Sequence, residues 1–116
     1  MRDGPIMTFL KMPGGLDEKG QLAYNTIMAF LRKTEHLNTG GCKAFYSPAA
    51  WRKRGEDYGR DSKLIVVYDG GDLGPVFSLD HAYPTYTLHT AMTEELAKIG
   101  LFAEECCGWY SAVYER

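Results

Sequence analysis

Leu64-Ile65-Val66-Val67-Tyr68 is an unbroken run of β-favouring apolar residues, the pattern of a strand buried on both faces. Asp69-Gly70-Gly71-Asp72-Leu73-Gly74 closes it with a turn composition. Pro75–Leu79 then reads as a second strand, with proline tolerated at its start, so residues 63–79 are predicted to form a hairpin with a longer loop. No apolar run approaches the ~20 residues that a membrane-spanning helix needs.

Around this run the periodicity changes. Ala23, Tyr24, Ile27, Met28, Phe30 and Leu31 recur at three- and four-residue steps, which predicts an amphipathic helix over 17–35. Asp17 is its expected N-cap and Glu18 suits the positive end of the helix dipole. Gly20 weakens its first turn, and Asn38-Thr39-Gly40-Gly41 is a stop signal. Leu88, Met92, Leu96 and Ile99 make a second helical stripe over 84–99, with Pro84 placed in the first turn and Gly100 as the terminating glycine. Ser47-Pro48 is a capping pair for a short helical piece through Trp51, followed by a polar loop to Ser62. Ile6–Lys11, Cys42–Ser47, Leu101–Cys107 and Trp109–Tyr114 read as further strands, the last two forming an antiparallel hairpin around Gly108. Ile27, Leu31, Val66, Met92 and Leu96 are the expected core. The 116 residues make a single domain, 1–116, of the α+β class: a two-layer sandwich with a mainly antiparallel sheet and two longer helices on one face.

Thirteen Lys and Arg against fifteen Asp and Glu give a net charge of −2, which speaks against general nucleic-acid binding. The charge is unevenly spread. Arg52, Lys53, Arg54, Arg60 and Lys63 outnumber Glu56, Asp57 and Asp61, whereas residues 94–116 are acidic. Cys42, Cys106 and Cys107 are an odd set of thiols with no apolar leader before Gly14-Gly15, so a reducing, cytoplasmic setting is expected. In an extended strand Cys106 and Cys107 would face opposite ways. No CxxC or HxxxH spacing brings metal ligands together, and neither metal nor cofactor is expected.

Three constellations stand out. Eight tyrosines and two tryptophans make either an aromatic core, an interface or a stacking platform. Asp69 and Asp72 on a glycine-rich turn are candidates for a cation or ligand, although turn chemistry alone also explains them. Trp51, Arg52, Arg54, Tyr58 and Arg60 interleave rings and cations, as anionic-partner or single-stranded nucleic-acid surfaces do, with a solvated loop as the plain reading. Trp109, Tyr110 and Tyr114 are expected to diverge along a C-terminal strand. If that strand is an edge, its free backbone offers a two-fold homodimer. His81 and His89, with Asp80 or Glu104 as orienting groups, are what an acid–base enzyme would use; if the second helix begins early, they sit eight residues apart on roughly one face.

The stretch from Tyr58-Gly59 through Leu64–Asp72 to Cys107-Gly-Trp-Tyr-Ser-Ala-Val-Tyr114 resembles a group of small accessory proteins carried by phages, plasmids and gene cassettes. The resemblance covers residues 58–114 and carries no assigned chemistry. It implies action by binding host or rival machinery, in some cases as anti-defence inhibitors. The expectation is therefore a small cytoplasmic protein that is not an enzyme and binds a protein partner, with Trp109, Tyr110, Tyr114, Trp51, Arg52, Arg54, Tyr58 and Arg60 as partner-binding residues. The alternatives are a small-ligand or single-stranded nucleic-acid module, and a small enzyme using His81 and His89.

Overall fold

The computed structural model describes residues 11–34, 45–68, 74–107 and 109–116. The predicted strand over 6–11 therefore lies almost wholly outside the described residues. So do the Asn38–Gly41 stop, Cys42, and the Asp69–Leu73 turn with both of its candidate carboxylates.

The first helix, α1 (Glu18–Lys33), starts where the sequence places it. Asp17 accepts a hydrogen bond from the Gly20 N–H at 2.8 Å, satisfying one of the orphan donors of the first turn. Its buried face is Gly20, Ala23, Ile27, Met28, Phe30 and Leu31. Strand β1 (Phe45–Tyr46) leads into α2 (Pro48–Lys53), where the Ser47 hydroxyl accepts from the Ala50 N–H at 3.1 Å. Strand β2 (Leu64–Val67) is buried at every residue.

The predicted strand over Pro75–Leu79 does not exist. The chain makes two single helical turns instead, α3 (Gly74–Phe77) and α4 (Leu79–Ala82). A short apolar run cannot be assigned to strand or helix by periodicity. Here Val76 and Phe77 are buried in a helical turn, with Phe77 stacked on Tyr68 at 6.3 Å. The hairpin expected over 63–79 is thereby replaced. The longer helix α5 (Thr87–Ala97) also begins later than predicted: Pro84 follows a cis peptide bond in the turn before it rather than occupying its first turn. Gly100 does take the left-handed conformation, at φ +78°. Strands β3 (Leu101–Cys107) and β4 (Tyr110–Glu115) complete the fold.

The four strands form one antiparallel sheet in the order β1-β2-β4-β3. The fold is α+β, as expected. One face of the sheet, with Phe45, Leu64, Val66, Leu101 and Val113, packs on Ile27 and Leu31 of α1 and on Met92 and Leu96 of α5. The other face, with Ile65, Val67, Tyr110 and Ala112, is a second core closed by Trp51 of α2. Strand β4 lies between β2 and β3. It is not an edge, and the dimer expected from its free backbone has no free backbone to use.

Candidate functional surface

The second face is built around Trp51, which has no exposed surface. Its ring lies 4.9 Å from Tyr46, 5.8 Å from Trp109 and 4.8 Å from Tyr110, measured between centroids. Trp109 and Tyr110 do not diverge: they meet edge to face at 4.6 Å. The alternation rule applies within a strand, and Trp109 stands in the turn before β4 begins. Tyr110 and Tyr114 share this face with Ala112, since their partners in β2 and β3 alternate in step. Tyr110 is buried, and Trp109 and Tyr114 are half-buried. Of the expected interface rings, Trp51 and Tyr110 are thus core, and Trp109 and Tyr114 pack partly buried against it.

The cations sit over and around those rings. The Arg54 guanidinium lies 4.7 Å above the Trp51 ring and 5.3 Å from Tyr46, close enough for cation–π attraction. The same side chain reaches Glu56 at 3.4 Å. Arg52 donates from Nη1 to the Arg60 carbonyl at 2.6 Å, tying the end of α2 to the far side of the loop. The loop itself is pressed onto the sheet at Gly59. There φ is +80°, and a Cβ would stand 2.7 Å from Ile65 Cδ1 and 3.1 Å from Ala112 Cβ. The Tyr110 hydroxyl donates to the Tyr58 carbonyl at 3.4 Å. With its backbone held on both sides, Tyr58 turns outward and is 60% exposed. Arg52, Lys53, Arg54 and Arg60 are exposed with it.

Arg52 also lines a cavity of about 200 Å³ with Asp17, Pro48, Ser62 and Lys63. Lys63 is already engaged there, 2.8 Å from Asp17 and 3.9 Å from Glu115. The Lys63 ammonium and the Gly20 N–H hold the Asp17 carboxyl below its ordinary range.

No protein-family model, curated protein or solved structure matches this chain. Its chemistry is read from its own geometry.

His81 and His89 do not share a helix. The first belongs to α4 and the second to α5, with the turn at 83–86 between them. No group of three or more His, Cys, Asp or Glu side chains able to hold a metal occurs among the described residues.

A second exposed surface escaped sequence reasoning. Leu79, Tyr83 and Tyr86 are 52%, 71% and 38% exposed, and the two tyrosine rings meet edge to face at 6.2 Å. Tyr86 holds a left-handed backbone at φ 59°, strained for a bulky side chain. The corner is anchored to the sheet by Glu105 of β3, whose carboxylate accepts from Ser78 Oγ at 2.9 Å and from the Leu79 N–H at 3.1 Å. The repeated tyrosine of Tyr83-Pro84-Thr85-Tyr86 was its one visible signal, and the helix predicted over 84–99 absorbed it.

Proposed function

We propose that the chain is a small non-enzymatic accessory protein that binds another protein through the loop after α2. Tyr58 is the anchor, and Arg52, Lys53 and Arg60 form a cationic rim that suits a carboxylate-bearing partner surface. The observation that carries this reading is the exposed Tyr58 ring on a backbone pinned by Gly59 and by the Tyr110 hydroxyl. A large aromatic displayed from an ordered loop binds at small entropic cost and is a common hot-spot residue. The resemblance over residues 58–114 points the same way, towards action on host or rival machinery. The cytoplasm belongs to the same proposal, since Cys106 and Cys107 are both free thiols. The partner is proposed to be a different protein, because the strand expected to build a homodimer is paired on both sides.

The single-stranded nucleic-acid reading loses its stacking platform, since Trp51 and Tyr110 are packed inside. Affinity capture from a host lysate, followed by titration with the purified partner, tests the proposal. Tyr58→Ala and Arg60→Glu should each weaken binding about tenfold or more while leaving the urea midpoint unchanged. A partner bound equally by the parent and both variants rejects this surface. A salt-sensitive shift of single-stranded DNA that only Arg54→Glu abolishes would favour the nucleic-acid reading instead.

A further inference from the structure

Strand β3 carries an irregularity that changes what its two cysteines can do together. Glu105 pairs with Ser111 and Cys107 pairs with Tyr110, so the partner strand advances one residue while β3 advances two. Cys106 is the extra residue of a β-bulge, and Cys106 and Cys107 together oppose Tyr110. A regular strand would send the two side chains to opposite faces. Here both are half-buried and both pack against the same second core of Trp51, Ile65, Val67, Tyr110 and Ala112. The Cys106 sulfur also lies 3.9 Å from where a Cβ on Gly59 would stand, which places it under the pinned loop.

Two adjacent thiols on one face, with no third metal-binding side chain beside them among the described residues, do not make a tetrahedral zinc site. They suit a soft centre that brings its own remaining substituent. We propose that Cys106 and Cys107 form a vicinal dithiol site for a trivalent organoarsenical of the type R–As(OH)2. Two S–H bonds and two As–O bonds break, two As–S bonds form, and two waters leave. Arsenic stays trivalent throughout, so neither oxidant nor reductant is required. Burial, with the Glu104 carboxylate and Cys107 adding to it, pushes the Cys106 thiol up to about 11. The Cys106 thiol therefore carries its proton at neutral pH, and the exchange releases that proton as part of water.

The probe is phenylarsine oxide, added to the full-length protein carrying Cys42→Ser. Intact-mass spectrometry should find one arsenical per chain, retained in excess monothiol and removed by 2,3-dimercaptopropanol. Cys106→Ser and Cys107→Ser, each in that background, should bind about 100-fold more weakly, because chelation is lost. An adduct that survives either substitution, or no adduct at all, overturns the proposal. Arsenic X-ray absorption on the Cys42→Ser protein is independent of whether those further variants fold. Two sulfur neighbours are expected, and one or none overturns the site.

Discussion

Gly20 and Gly59 hold two elements closer to their neighbours than any other residue would allow. A Cβ on Gly20 would lie 2.5 Å from the Lys63 carbonyl oxygen, a backbone atom that cannot step aside. Helix propensity alone would favour alanine there by about 1 kcal/mol. The clash outweighs it, and Gly20→Ala should destabilise by about 1–3 kcal/mol in urea titration. Gly59→Ala should cost a similar amount or more, since left-handed strain adds to its collision with Ile65 and Ala112. Gly55 is the control: it shares a positive φ of +82° but has open space where the Cβ would go, so Gly55→Ala should cost only about 1–2 kcal/mol of strain. In the sequence Gly59 is one residue of a polar loop, and Gly20 is a weak spot in a helix. A glycine needed for close approach looks like any other until the backbone opposite it is placed.

The elements whose boundaries rest on local chemistry were legible. Asp17 and Ser47 cap the helices they were expected to cap, and Gly100 ends α5 at positive φ. Pro75–Leu79 was misread because Val76 and Phe77 satisfy a strand pattern and a buried helical turn equally well. The cap that fixes α4 comes from Glu105 on a distant strand, which no local reading could supply. Asp17 has a second role that shows in the pH dependence of stability. Its folded-state carboxyl is lowered, chiefly by Lys63, so its contribution is complete above the ordinary value of 3.8 and vanishes as pH falls past that towards the native value. Lys63 is raised by the same contact, so its contribution is complete below 10.5 and lost as pH climbs through the higher native value. Asp17→Asn keeps a capping oxygen and removes the charge. Urea midpoints between about pH 5 and pH 2 should fall less steeply for this variant than for the parent. Leu96 of α5 is fully buried against the sheet, and Leu96→Ala should cost about 2–5 kcal/mol. An unchanged midpoint would mean that α5 does not pack as described.

At the scale of the molecule, the sequence conveyed one core, and the structure has two. The helical stripes announce the first through Ile27, Leu31, Met92 and Leu96. The second has no periodic signature, because Trp51, Ile65 and Tyr110 come from three separate segments that meet only through the sheet order. That is also why the candidate site was half legible. Tyr58 and the arginines around it were visible as composition, whereas the burial of Trp51 and Tyr110 depended on which face they shared. The sheet order has a consequence for the protein's synthesis. Strand β2 finds its main partner only in β4, so its ladder from Leu64 to Val67 waits for Tyr110–Val113. A nascent chain halted on the ribosome through a C-terminal linker, with residue 107 at the mouth of the exit tunnel, holds β1, β2 and β3 without the strand that hydrogen-bonds β3 to β2. Such a chain should be cut readily by protease, and resistance should rise abruptly once the residues of β4 have emerged. A gradual gain of resistance from residue 67 onward would contradict that order of assembly.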